Sequence, residues 1–147
     1  MEKRVKKMAK EYSVILFKPD AYRRKMVKPI LKMCLAEDLK IAYHKKMWLT
    51  EEMMRTYQPV LNHMPYFWQC MFINVYLSAP TDVYLLYGED AINKTTKIKT
   101  EVRAKYVKGH PQMTPFNLLH SSTSHGDLIL NVLALMPEKI NLVKKEN

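Results

Sequence analysis

The chain has 147 residues, with 24 Lys+Arg against 14 Asp+Glu and a formal net charge of +10. That length predicts one domain, and a hydrophobic fraction of 48% is enough for a core and excludes wholesale disorder. Two cysteines, Cys34 and Cys70, cannot build a disulfide-dense scaffold, and no Cys/His cluster has zinc spacing.

The first ten residues are basic and lack the apolar stretch of a signal peptide. No apolar run approaches the ~20 residues of a membrane span. A cytoplasmic protein without a membrane partner is expected. Tyr12 to Lys18 is β-branched and aromatic, and Pro19-Asp20 stops it, so it reads as a buried strand. Parity puts Lys18 on the face of Val14 and Leu16. Met26 to Glu37 has helical spacing through Met26, Ile30, Met33/Cys34 and Glu37. Lys40 to Leu49 alternates, with Ile41, Tyr43 and Met47 on one face. Thr50 reads as the N-cap of a helix with Glu51 and Glu52 in its first turn, ending before Pro65. Tyr66 to Leu77 predicts a largely buried helix.

Val83, Leu85 and Tyr87 form a third strand closed by Gly88. Asp90 reads as the cap of a helix running through a basic cluster toward Tyr106. Lys108 to Pro115 is a loop with two prolines and a glycine. Leu118-Leu119 suggests a short buried strand, and Asp127 to Met136 a last helix. The order predicts an α+β fold of ferredoxin-like βαββαβ type, an antiparallel sheet with helices on one face. The expected division is a basic N-terminal tail over 1–10, one domain over 11–140 and a C-terminal tail over 141–147.

No glycine-rich phosphate loop can be built from Gly88, Gly109 and Gly126, so a phosphate binder made from this chain needs side chains. Two positions stand out. His120 follows Leu118-Leu119 and precedes a run of hydroxyls, a setting that suits either a satisfied core histidine or a nucleophilic imidazole. Lys18 ends an apolar strand, where a lysine either meets a negative charge or snorkels to solvent.

Val14-Ile15-Leu16-Phe17-Lys18-Pro19-Asp20-Ala21 resembles the KPD strand end of nucleoside diphosphate kinases. Asn117-Leu118-Leu119-His120-Ser121-Ser122 resembles their N-x-x-H-[GA]-S-D motif. The resemblance covers about residues 11–140. It implies phosphoryl transfer from a nucleoside triphosphate to a nucleoside diphosphate through a phosphohistidine at His120. By position it gives Lys18 a catalytic and phosphate-neutralising role. Tyr57 would lie near the γ-phosphate, Tyr66 under the base, Lys97 and Arg103 on the phosphates and Asn117 at the sugar. Ser122 and Asn131 would support the histidine. It further implies Mg2+ carried by the nucleotide phosphates, with no protein metal site, and a homo-oligomer.

The chain departs from that family pattern at several points. The second phosphate arginine appears as Lys97, and only Ile98 to Val102 separate it from Arg103. Val107 to Pro115 looks expanded. Ser121 follows the histidine, Thr123 replaces the motif's Asp, Asn131 replaces an orienting glutamate, and Met64 an arginine. These changes weaken the supporting residues and imply reduced activity. They motivate the alternative of a nucleotide- or partner-binding domain with little or no turnover. Specific nucleic-acid binding is not expected, because no RNP-type aromatic pattern accompanies the charge.

Overall fold

The computed structural model describes residues 9–108 and 114–146. Its sheet has four antiparallel strands: β1 Lys10–Phe17, β2 Lys40–Met47, β3 Thr81–Glu89 and β4 Leu119–Ser121, in the order β2-β3-β1-β4. Helices α1 Pro19–Arg23 and α2 Val27–Ala36 join β1 to β2. Helix α3 Glu51–Tyr57, a 3-10 turn over Pro59–His63 and α4 Tyr66–Tyr76 join β2 to β3. Helix α5 Ala91–Tyr106 leads to β4, and α6 His125–Leu135 and α7 Ile140–Glu146 follow. Strand order and connections make the βαββαβ arrangement with added helices.

Helices cover both faces of the sheet, not one. Val14 and Leu16 of β1 pack with Val83 and Leu85 of β3 against Met54, Tyr57, Phe72, Tyr76, Leu128, Val132 and Val143. The alternate residues, Ile15, Phe17 and Leu86, pack against Ile30 and Cys34 of α2 and Ile98 and Val102 of α5. Each fully buried aliphatic or Phe side chain contributes about 1.5–3 kcal/mol. From Tyr12 onward β1 therefore has no solvated face, which explains the apolar run over Val14–Phe17.

Several sequence expectations change. β2 carries an irregularity between Ile41 and Tyr43, so Ile41 pairs with Leu86 and Tyr43 with Leu85. One extra residue reverses parity, and Ile41 falls on the opposite face from Tyr43 and Met47. β3 runs through Gly88 to Glu89. A Cβ at Gly88 would lie 2.9 Å from Leu39 Cδ2 and 3.0 Å from the Asp38 carbonyl, so close approach of the segment that enters β2, not a turn, requires this glycine. Helix α4 is only partly buried: Phe72, Ile73 and Tyr76 face the core, while Tyr66 and Phe67 are exposed.

Thr50 caps α3 as expected, its Oγ1 accepting the Met53 N–H at 3.1 Å. Asp90 does not cap α5 with its side chain; Glu11 of β1 accepts the Ile92 N–H at 3.0 Å instead. The region 141–147, expected as a tail, carries α7 through Glu146, and Val143 is buried. Lys10, assigned to the N-terminal tail, opens β1. Residues 1–8 of that tail and most of the Lys108 to Pro115 loop lie outside the described residues. No helix among the described residues is long and apolar enough to cross a membrane.

Candidate active site

β1 delivers Lys18 to the site by parity. Its side chain continues the Val14/Leu16 row and is buried, with Nζ donating to Asn117 Oδ1 and lying 5.0 Å from the Tyr76 ring centroid. Burial and the neighbouring Arg103 charge hold the Lys18 ammonium well below its ordinary pKa. Its main-chain N–H donates to the Leu118 carbonyl at 2.9 Å, fixing the end of β1 to the segment that enters β4.

That segment is a tight, strained turn. Leu118 has φ 75°, and the Leu119 N–H donates to the Asn117 carbonyl at 2.9 Å, closing a three-residue γ-turn. Such a conformation costs on the order of 1–3 kcal/mol for a non-glycine residue and persists only where its surroundings hold it. Two groups hold it here. The Asp20 carboxylate accepts the Leu118 N–H at 3.1 Å. The Arg103 guanidinium donates to the carbonyls on either side, Nε to Asn117 at 3.1 Å and Nη2 to Leu119 at 2.6 Å.

The turn presents His120. It pairs across from Leu16, so its ring points to the face occupied by Tyr57 and Tyr76. The Tyr57 ring meets it edge-on, with centroids 5.0 Å apart. The residue keeps part of its surface exposed, but Nε2 is covered. Among the described residues, His120 Nε2, the Tyr57 and Tyr76 hydroxyls and Ser121 Oγ are buried without a hydrogen-bond partner of good geometry. Buried polar groups are normally paired, and His120 Nε2 shares its face of the sheet with Tyr57 and Tyr76, whereas Ser121, paired with Ile15, lies on the other face.

Burial and then the charges of Lys99, Lys18 and Arg103 hold the His120 pKa well below 6.5; Asn131 acts in the opposite direction. The imidazole is therefore neutral at neutral pH, with a lone pair available. Behind it, Ser122 Oγ accepts the Val14 N–H at 3.0 Å and donates to Asn131 Oδ1 at 2.8 Å. Asn131 Nδ2 donates to the Tyr57 carbonyl at 3.2 Å and to Asp127 Oδ1 at 3.2 Å. One amide thus ties α3, the residue that follows β4 and α6 together.

The structure brings together His120, Lys18, Tyr57, Arg103, Asn117, Ser122 and Asn131. It leaves two expected residues apart from them. Tyr66 opens α4 as an exposed ring, 79% accessible. Lys97 is exposed on α5. Surface hollows beside Tyr87 and Gly88, and beside Tyr106 and Phe116, do not include His120 among their lining residues.

The fold and this constellation can be set against known proteins. A family model described as nucleoside diphosphate kinase matches residues 11–138. The chain belongs to the nucleoside diphosphate kinase family. A nucleoside diphosphate kinase of Chelativorans sp. (strain BNC1) is 32% identical over 92 residues, and one of Bartonella tribocorum 31% over 91. Each match takes in 62% of this chain and 64% of the relative, so somewhat under two thirds of those relatives is spanned. The Aquifex aeolicus nucleoside diphosphate kinase superposes with TM-score 0.70 and 25% identity, over 87% of this chain and 96% of that one. At 13% identity, the fold alone is shared with the Borrelia burgdorferi enzyme, whose structure is a transition-state mimic with vanadate and ADP; TM-score is 0.74 over 87% and 88% of the chains.

Within this family member, three site residues escaped the sequence reading. Lys99 sits one helical turn before Arg103 on α5, a spacing that places both on one face and could have flagged it. Tyr76 closes the apolar stretch of α4 and reads there as core. Asp20 stands in the Lys-Pro-Asp motif but has no visible task until the Leu118 turn is seen.

Proposed function

We propose that the chain catalyses phosphoryl transfer from a nucleoside triphosphate to a nucleoside diphosphate through a phosphohistidine at His120. The observation that carries this reading is a neutral imidazole at the end of a clamped γ-turn, under the charges of buried Lys18 and of partly buried Lys99 and Arg103. An imidazole nitrogen attacks the γ-phosphorus, and the bond to the bridging oxygen breaks, releasing the nucleoside diphosphate. A second nucleoside diphosphate then attacks the phosphorus through its terminal oxygen. The P–N bond breaks and the imidazole is restored.

In this reading Lys18 meets the transferring phosphate oxygens, and Tyr57 donates its hydroxyl to them. Arg103 spends part of its guanidinium on the turn and offers the rest to phosphate. Asn117 reaches the sugar and Tyr66 stacks on the base, a contact that tolerates any base. Ser122 and Asn131 fix the ring. Positioning and charge stabilisation are most of what phosphoryl transfer asks of a protein.

Magnesium fits this site as a passenger of the nucleotide. Among the described residues no three His, Cys, Asp or Glu side chains converge to hold a metal, and the two nearby carboxylates are engaged, Asp20 by Leu118 and Asp127 by Thr123. When bound it would shield phosphate charge. A homo-oligomer working in the cytoplasm belongs to the same reading; exposed Trp48 and Leu133 give a second copy apolar surface to cover.

Incubation with γ-labelled ATP tests the reading. Acid-labile label on the wild type and none on His120→Asn is the result expected. A wild type that stays unlabelled while binding ADP would favour a nucleotide-binding domain without turnover.

A further inference from the structure

Of the three cations that act on His120, Lys18 and Arg103 are ones the resemblance supplies, and Lys99 is not. Helix α5 lies against β4 through two contacts that bracket the histidine. Thr96 Oγ1 reaches the Ser122 carbonyl at 3.4 Å, and Arg103 Nη2 reaches the Leu119 carbonyl at 2.6 Å. Residues 96, 99 and 103 lie within about 60° of one another around a helix. Lys99 therefore lies between the two contacts, on the helix face turned to the backbone around His120, and its charge acts on the imidazole. Lys97 is about 200° around the helix from Lys99 and is exposed.

Lys99 is only partly exposed, yet among the described residues its ammonium makes no ion pair and no hydrogen bond. Its electrostatic partners are Arg103, which repels it, and Asp127, which attracts it. Asp127 is already engaged by the Thr123 N–H at 2.9 Å and by Thr123 Oγ1 at 3.2 Å. Lys18 and Arg103 likewise make no ion pair among the described residues. Three cations thus act on one imidazole, and among the described residues no carboxylate is bonded to any of them. A partly buried, unpaired ammonium is costly unless an anion joins it.

We propose that Lys99, not Lys97, is the second cation of α5, beside Arg103, that contacts the phosphates of the bound nucleotide. The inference rests on the reading of His120 as a nucleotide-phosphate site. It also rationalises the shortened segment between Lys97 and Arg103. With both cations carried on one continuous helix face, Lys99 and Arg103 need no long covering loop to bring them to the phosphates.

Calorimetric titration with ADP and with adenosine tests the assignment in wild type, Lys99→Ala, Lys99→Arg and Lys97→Ala, each checked for folding by circular dichroism. Loss of a charge-assisted contact predicts about tenfold weaker ADP binding in Lys99→Ala. Adenosine binding should be unchanged, Lys99→Arg should recover most of the ADP affinity, and Lys97→Ala should stay within about twofold of wild type. Equal ADP affinity in wild type and Lys99→Ala, with the wild type forming phosphohistidine, would overturn the assignment alone. Wild type that binds ADP with the predicted Lys99 dependence but forms no phosphohistidine would overturn the transfer reading and leave the assignment standing. Wild type that does not bind ADP would overturn both.

Discussion

Asp20 holds Leu118: the carboxylate of one accepts the N–H of the other at 3.1 Å, two residues before His120. The backbone of Leu118 is strained at φ 75°, so the bond maintains a conformation the chain would otherwise leave. Asp20→Ala strips the buried Leu118 N–H of its acceptor. It should cost about 1–3 kcal/mol in urea unfolding and reduce His120 labelling by more than the loss of folded protein explains. An unchanged unfolding midpoint with full labelling would mean that the turn holds itself.

Asn131 joins Ser122, the Tyr57 carbonyl and Asp127 in one buried network. Asn131→Ala leaves Ser122 Oγ and the Tyr57 carbonyl short of partners, and about 1–3 kcal/mol of stability should be lost. Because the same amide backs the imidazole, the phosphorylation rate should fall while ADP affinity changes little. A fall in ADP affinity as large as the fall in rate would instead place Asn131 in nucleotide binding.

Lys99 trades stability for charge. Burial first, then repulsion from Arg103, pulls its pKa from 10.5 down to about 8. A lysine whose pKa is lowered by folding destabilises the native state most where both states are protonated, below about pH 8, and less as pH rises toward 10.5. Lys99→Met should therefore be more stable than wild type at pH 7, with the difference narrowing between pH 8 and 10. Chemical denaturation across that range checks the sign. A gain that grows with pH would contradict it.

Gly88 stands where a Cβ would come within 3.0 Å of both Leu39 and Asp38. Gly88→Ala should destabilise by about 1–3 kcal/mol through overpacking, with His120 labelling per folded molecule unchanged. A neutral Gly88→Ala would mean that Leu39 and Asp38 can give way.

How much of this was legible in the sequence depended on how local each cause is. The four strands, the Thr50 cap and the order of elements follow from periodicity and short-range chemistry, and the Lys18 and His120 positions from short motifs. The rest came from contacts far apart in sequence. An extra residue in β2 moved Ile41 to the opposite face, a register fact that no alternation reveals. Glu11 caps α5 from another strand. Tyr76 reads as core until its ring is seen under the Lys18 ammonium. Position along the chain favours Lys97 over Lys99, whereas a helix turns about 100° per residue and two positions can end on opposite sides. Asp20 and Arg103 acquire their tasks only once the γ-turn exists to be held.

The central claim is that His120 carries the phosphoryl group between two nucleotides. Its most direct test is a single-turnover chase: protein labelled from γ-labelled ATP, freed of nucleotide, then mixed with unlabelled nucleoside diphosphate. The account predicts that the label leaves the protein and appears as the terminal phosphate of the new triphosphate, and that His120→Asn carries no label to transfer. Label that stays on the protein, or is released only as inorganic phosphate, would contradict it.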